Sequence, residues 1–332
     1  MRLQLDRIRQ AQREISSEFT HTLQFACPAL SAATGCSVSL KAEMLNPVRS
    51  FKGRGVDTLL ARMPHDGTRS VVCASAGNLG LALAYAGRRR GFDVTMVAAR
   101  TAVPAKLQRM RDWGARVVLH GEDFDAAKGL APLLARRESA RLIVDSLDVD
   151  TCEGAGTIGL EIAESGQPVD AVLLALGNGA LATGVGCAVK ALMPGTQVVG
   201  VQAAAAPAMA LSWRDKRPRQ TDTAHTIADG IAVRVPIPAV LEDMEATVDD
   251  VLLVTESGIR QAMWLLLEHS GLAVEPSGAV PLAALLEHRR RFAARRVVVV
   301  LCGANISPDH FFALARKDAD HVDPPDRRDE RG

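Results

Sequence analysis

Ala171-Val-Leu-Leu-Ala-Leu-Gly177-Asn178-Gly179-Ala180-Leu181-Ala-Thr-Gly184-Val-Gly-Cys-Ala-Val189 contains no charged side chain. On length alone such a stretch would pass as a membrane span. Its interior says otherwise. Gly177, Asn178 and Gly179 interrupt it directly after an apolar run, and an Ala/Val/Leu helical pattern follows. The reading is strand, glycine loop, helix.

The same alternation recurs along the chain. Short β-branched runs stand at Val71 to Ala74, Asp93 to Ala98, Arg116 to Leu119, Leu142 to Val144, Gln197 to Val201 and Arg296 to Cys302, each followed by a helix-length segment. This predicts an α/β fold with mainly parallel sheets, doubly wound by helices on both faces. At 332 residues the chain is about twice the usual ~150-residue domain, so two packed cores fit. In such sheets ligands lie where strand C-termini meet helix N-termini, which directs attention to the loops after the strands.

Composition narrows the function classes. Thirty-nine Lys and Arg against 38 Asp and Glu leave a net charge of +1, no electrostatic footprint for nucleic acid or an anionic membrane. A small-molecule partner is expected. Cys27, Cys36, Cys73, Cys152, Cys187 and Cys302 show no CxxC or metal-type spacing and read as reduced thiols in a cytoplasmic protein. The first twenty residues mix Asp6, Glu14 and Glu18 with arginines and have no apolar core, which predicts an amphipathic helix rather than a targeting segment. From Arg316 to Gly332 the chain is rich in Asp, Arg and Pro, and disorder is expected there.

Four loops carry candidate chemistry. Ser39 to Gly55 reads as a strand, a proline turn, the hydroxyl of Ser50, Phe51, and then Lys52 at a helix start, where the dipole disfavours a cation and helps keep an amine neutral and nucleophilic. An exposed lysine is the plain alternative. Ser75-Ala76-Gly77-Asn78 leads from a strand into a helix beginning near Leu79, forming a cradle for a carboxylate or simply an ordinary cap. Gly177 to Gly179 suits a phosphate, although a close-packed turn has the same sequence. Cys302, at the tip of a core strand, faces a ligand or is a buried small hydrophobe.

Together with Glu153-Gly-Ala-Gly-Thr-Ile-Gly-Leu-Glu-Ile162, Thr226-Ile-Ala-Asp-Gly-Ile-Ala-Val233, Val274-Glu275-Pro-Ser-Gly-Ala279 and Cys302-Gly-Ala-Asn305, these loops follow the order found in threonine/serine dehydratases. The chain resembles that family, pyridoxal-phosphate enzymes of the tryptophan-synthase-β fold (fold type II), over about residues 5 to 316. The resemblance implies a larger cofactor-binding domain from residues 1–45 and 146–316, a smaller domain from 46–145, and a tail from 317. It implies that Lys52, beside Phe51, joins the aldehyde of pyridoxal 5'-phosphate through a Schiff base and that Asn78 bonds the ring 3-hydroxyl. Gly177, Asn178, Gly179, Ala180 and Leu181 would hold the phosphate. Cys302 falls where a serine usually stands next to the pyridine nitrogen, with Glu275 nearby. Neither thiol nor hydroxyl is a good acid toward pyridine, so the ring stays unprotonated, which favours rapid loss of a β-substituent.

Ser75, Ala76, Gly77 and Asn78 would contact the amino-acid substrate, with Lys52 and Ser75 as the catalytic candidates. The implied reaction is α,β-elimination on a 3-hydroxy or other 3-substituted L-amino acid such as threonine or serine: the freed Lys52 amine takes the α-proton, the β-substituent leaves, and the released enamine hydrolyses to a 2-oxo acid and ammonia. A homodimer is expected. So is the absence of a metal site, because Gln202-Ala-Ala-Ala-Ala-Pro-Ala-Met209 lacks the carboxylates that cation-binding relatives place there.

The sequence departs from the pattern at Val48-Arg49, where Thr-Gly is common, at Leu79, where His is frequent, and at Cys27-Pro-Ala-Leu30, where Thr-Pro-Leu is usual. Arg49 either meets an acidic group on the substrate or faces solvent. Rival readings are a β-replacement synthase, an amino-acid racemase and a catalytically idle cofactor-binding homologue. A nucleotide-binding dehydrogenase is disfavoured because no GxGxxG follows the first strand.

Overall fold

The computed structural model describes residues 1–64, 67 and 69–315. Ten strands are present among them: β1 (Gln24–Ala26), β2 (Ser37–Ala42), β3 (Ser70–Ala74), β4 (Asp93–Ala98), β5 (Arg116–Leu119), β6 (Arg141–Ile143), β7 (Ala171–Ala175), β8 (Gln197–Ala203), β9 (Asp250–Val254) and β10 (Arg296–Leu301). They form a six-stranded sheet in the order β1-β2-β10-β7-β8-β9 and a four-stranded sheet in the order β5-β4-β3-β6. All pairings are parallel except that of β1 with β2. The near-continuous apolar runs follow from this. β10 lies between β2 and β7, and the side chains of Val297 to Leu301 are buried, as is all of β7, because helices cover both faces of a parallel sheet.

All seven expected strands occur, two with the expected ends and the rest with ends shifted by one or two residues. β1 and β9 were not anticipated. β1 has three residues and pairs at the sheet edge, and β9, on the opposite edge, is half-exposed for most of its length. The uncharged stretch from Ala171 divides into β7 and the helix Ala180–Leu192, and no helix among the described residues is long and apolar enough to cross a membrane. The amphipathic start forms the helix Leu5–Glu14, which buries Ile8 and Ala11. The segment from Arg316 for which disorder is expected lies outside the described residues.

The helix Lys52–Ala61 carries the lysine of the first loop and packs against the helices Val149–Glu164 and Asn78–Arg90. Backbones nearly touch there: a Cβ on Gly55 would meet the Thr151 carbonyl oxygen at 2.4 Å, and one on Gly154 would meet the Arg54 carbonyl oxygen at 2.5 Å. A Cβ on Gly184 would lie 2.0 Å from the Cys152 carbonyl oxygen. The glycines of the Glu153-Gly-Ala-Gly motif and of the helix after β7 are therefore contact surfaces that let three helices stack at close range.

Charges fix this helix as well. Arg54 is fully buried and binds Glu43 through Nε and Nη2 (2.7 and 2.9 Å) and Glu161 through Nη1 and Nη2 (2.6 and 3.0 Å). Lys41 Nζ adds a 2.5 Å bond to Glu161, and Thr157 and Thr22 hydroxyls accept the remaining Arg54 N–H groups. Burial opposes the Glu161 charge, but the Arg54 hydrogen bond and the charges of Arg54 and Lys41 outweigh it and bring that carboxyl down to about 2.

Candidate active site

Four loops and one connecting segment meet at the C-terminal ends of the two sheets, and a circuit of short contacts joins them. Lys52 is the first residue of its helix, and its Nζ donates to both oxygens of Asp145, at 2.8 and 2.6 Å. Each of these side chains is about 15% exposed, so the pair is half-open to a solute. The expectation for Lys52 weighed the helix dipole alone. The structure adds an ion pair with the Asp145 carboxylate. Asp145 follows β6, and the next residue, Ser146, has φ +65° and accepts from the backbone N–H of Ala180 at 3.1 Å. The glycine loop is thereby tied to the lysine.

That loop has the shape expected of an anion cradle. Gly179 adopts φ +91° as the residue preceding the helix Ala180–Leu192, whose first N–H groups have no intrahelical acceptors. A Cβ on Gly179 would collide with Val240 Cγ1 at 2.4 Å, so both the left-handed conformation and the packing demand glycine. Asn178 and Leu181 complete the loop at the same helix start.

On the other side of Lys52, the Phe51 N–H donates to the Cys302 carbonyl at 3.0 Å, and Ser50 bridges to Gly303. Lys52 Nζ lies 4.7 Å from the centroid of the Phe51 ring. The Cys302 thiol contacts the Ser277 carbonyl at 3.6 Å, and burial, followed by the charge of Glu275, pushes it far above the ordinary thiol range. It stays a neutral thiol.

Asn78 begins the helix Asn78–Arg90. Its Nδ2 donates to Glu275 Oε1 at 2.6 Å, and its Oδ1 accepts from Asn305 Nδ2 at 2.7 Å. One amide N–H therefore remains for a ligand. Glu275 also accepts from the Asn305 N–H at 2.9 Å; burial raises its pKa, the charge of Lys106 working against that rise. A Cβ on Gly303 would sit 2.4 Å from Glu275 Oε1 and 3.0 Å from Asn78 Nδ2, so this glycine clears the space around the amide. Ser75 points its hydroxyl back into its own loop, accepting from the N–H groups of Gly77 and Gly80 at 3.2 Å each. It shapes the turn. Ala76 and Gly77 are half-buried beside it.

Sequence reasoning singled out Lys52, Phe51, Ser75 to Asn78, Gly177 to Leu181, Glu275 and Cys302, and the circuit runs through these segments. It missed Asp145, Ser146 and the positioning role of Asn305. The first two lie directly after a strand, the location that flagged the other loops, but no glycine or motif marks them. Arg109 was also missed: its guanidinium donates to Asn305 Oδ1 at 2.8 Å and to the Pro47 carbonyl at 3.0 Å. Arg49 adopts φ +52°, which accounts for glycine being common at this position; its side chain is exposed.

A family model described as pyridoxal-phosphate dependent enzyme matches residues 15–303, and the chain belongs to that family. An L-threonine ammonia-lyase of Thermotoga maritima is 35% identical over 303 residues, covering 91% of this chain and 75% of that protein. Among solved structures, the processed form of threonine deaminase isoform 2 from Solanum lycopersicum superposes with a TM-score of 0.87 at 27% identity, covering 94% of this chain and 93% of that one. Maize serine racemase reaches a TM-score of 0.89 at 25% identity, covering 94% and 97%.

The residues fit the cofactor that the family name prints. The Gly179 turn would hold the phosphate, Lys52 would supply the amine for the aldehyde, Asn78 would offer a donor to a phenolate oxygen, and Cys302 would offer the pyridine nitrogen no acidic proton. The buried Ser50 hydroxyl, without a partner among the described residues, adds an unused donor one residue from Phe51.

Proposed function

We propose that the chain is a pyridoxal-phosphate-dependent ammonia-lyase, eliminating the β-substituent of a 3-hydroxy or other 3-substituted L-amino acid such as threonine or serine to give a 2-oxo acid and ammonia. The observation that carries this reading is the circuit from the glycine cradle through Ser146, Asp145, Lys52 and Cys302 to Glu275 and Asn78. It links one amine, one glycine turn at a helix start and one amide donor through a chain of short contacts.

Pyridoxal phosphate supplies the electron-withdrawing ring that accepts the electron pair left when the α-C–H bond breaks. The protein's residues do the rest. Lys52 Nζ is the base that takes the α-proton and, as an ammonium, is held by Asp145. The Ser75 to Asn78 turn, with its N–H groups at a helix start, binds the substrate carboxylate and fixes the α-carbon. Glu275 and Asn305 lock the Asn78 amide in one orientation. Ala76 carries a methyl group where a second acid/base would be needed for inversion at the α-carbon, so elimination is favoured over racemisation.

The larger and smaller domains are assigned to residues 1–45 with 146–316 and to residues 46–145, supported by the separate sheets. A cytoplasmic homodimer is the accompanying assignment. It draws support from six free, buried thiols and from apolar side chains exposed on the helix Phe124–Arg137, Phe124 and Leu133. Incubating the holoenzyme with L-threonine and L-serine and measuring 2-oxo acid and ammonia tests the function. Equimolar release supports it, and β-replacement by an added thiol without net ammonia release contradicts it.

A further inference from the structure

Resting on the elimination reading just given, we propose that Asp145 is the specificity-determining residue that receives the α-ammonium of an incoming amino acid. The site then takes a zwitterion and rejects the same carbon skeleton without its amine, the 2-oxo acid product included. Both Asp145 oxygens accept from one group, Lys52 Nζ, at 2.8 and 2.6 Å. In the proposed reaction the cofactor aldehyde engages that nitrogen. A nitrogen held to carbon by a double bond keeps at most one N–H, so at least one Asp145 oxygen loses its donor. The side chain is 15% exposed, and no second cation is bonded to it among the described residues. Arg2 directs its guanidinium to Asp243 and to the Ser146 and Leu147 carbonyls, and Arg141 pairs with Asp148. A carboxylate in this setting is completed by a cation that the solute brings.

Strand pairing places Asp145 at the turn that takes the substrate carboxylate. β6 runs parallel to β3 with Ile143 opposite Cys73, which brings Asp145, two residues on, beside the Ser75 turn. The buried Cys73 thiol feels the charges of both Asp145 and Lys52, so the three groups share this end of the strand pair. Asn78 and Leu79 stand at the first two positions of a 13-residue helix, and their N–H groups have no intrahelical acceptor. Ser75 is turned into its own loop and leaves those donors free for a solute.

The turn therefore presents N–H donors to an anion, and Asp145 presents a negative charge beside them. A lone carboxylate is attracted by the first and repelled by the second. An α-amino acid, which holds its ammonium and its carboxylate on one carbon, satisfies both. Once the amine has been lost as ammonia, the 2-oxo acid keeps its carboxylate and meets Asp145 without a cation, which favours its departure.

The test titrates the holoenzyme with L-alanine, which has no β-substituent to lose, with L-lactate, which carries a hydroxyl in place of the ammonium, and with pyruvate. Calorimetry gives each affinity, and the change in cofactor absorbance gives a second reading for alanine. The parent should bind alanine at least about tenfold more tightly than either anion. In Asp145→Asn, alanine should weaken at least about tenfold while lactate and pyruvate tighten at least about threefold, and Asp145→Glu should keep the order of the parent. A merely structural role would weaken all three ligands together, and that result overturns the inference. Lactate or pyruvate binding as tightly as alanine in the parent overturns it as well, whether or not the variants fold. Release of 2-oxo acid from serine and threonine is measured separately: its absence removes the elimination reading, and the affinity order still decides the role of Asp145.

Discussion

Lys52 and Arg54 stand two residues apart on one helix and live in opposite electrostatic settings. Arg54 is fully buried, and Glu43, Glu161, Thr157 and Thr22 accept its hydrogen bonds. Lys52 is partly exposed, and its amine bonds both carboxylate oxygens of Asp145. A saturated, dry cluster has no bond left to offer and serves to fix the helix. A partly exposed pair can exchange partners, which is what a covalent cycle on an amine requires. The difference shows that burial and partner count, more than charge itself, separate an architectural cation from a reacting one.

The sharpest way to break this comparison is to remove each cation. Lys52→Ala should lower kcat by at least about 10³-fold, since on the proposed reading it deletes both the attachment point and the base, while leaving thermal stability close to that of the parent. Arg54→Met should do the reverse, destabilising the fold by about 3–5 kcal/mol because buried Glu43 loses its cation and Glu161 keeps only Lys41. Denaturant titration and turnover assays on both variants check the pair. Loss of folding in Lys52→Ala with full stability in Arg54→Met would invert the assignment.

A second contrast lies at Ala76. Elimination should exceed racemisation by about 10²- to 10⁴-fold, the usual worth of a positioned acid/base. Ala76→Ser should narrow that gap. Chiral analysis of the amino acid remaining after partial turnover reads it, and antipode accumulating as fast as 2-oxo acid in the parent would show that another residue delivers the second proton.

The buried cluster also predicts a pH dependence. Glu161 titrates at about 2 in the folded chain against an ordinary 4.5, so its contribution is fully present above about pH 5 and is lost as the pH falls through 4.5 toward 2. A shift of that size corresponds to about 3 kcal/mol. Denaturant midpoints measured across this window should fall in the parent and fall less steeply in Glu161→Gln. The smallest effect belongs to Cys302→Ser. Thiol and hydroxyl are both neutral toward a pyridine nitrogen, so kcat should change by no more than about threefold, measured by 2-oxo acid release.

The legibility of the chain followed the same division between local and assembled features. Parallel strands such as β7 and β10 are written in contiguous apolar residues, and the glycine loop is fixed by local backbone demand at Gly179. β9 was not anticipated although Val251 to Val254 is itself a contiguous apolar run; the strand lies half-exposed at the sheet edge. Asp145 escaped because an aspartate after a short strand has no local signature, and its meaning arises only when Lys52, 93 positions earlier, is folded against it. Arg49 shows a departure in sequence that is none in conformation: its φ of +52° keeps the left-handed geometry for which glycine is the usual choice, at a cost of about 1 kcal/mol.

The central claim is that Lys52 is the residue that carries the cofactor. Borohydride reduction of the holoenzyme, followed by proteolysis and mass mapping, addresses it directly. The account predicts a pyridoxyl group on the peptide containing Lys52 and none on Lys41, Lys106 or Lys190. A label on another lysine, or no label after reconstitution with pyridoxal phosphate, would contradict it.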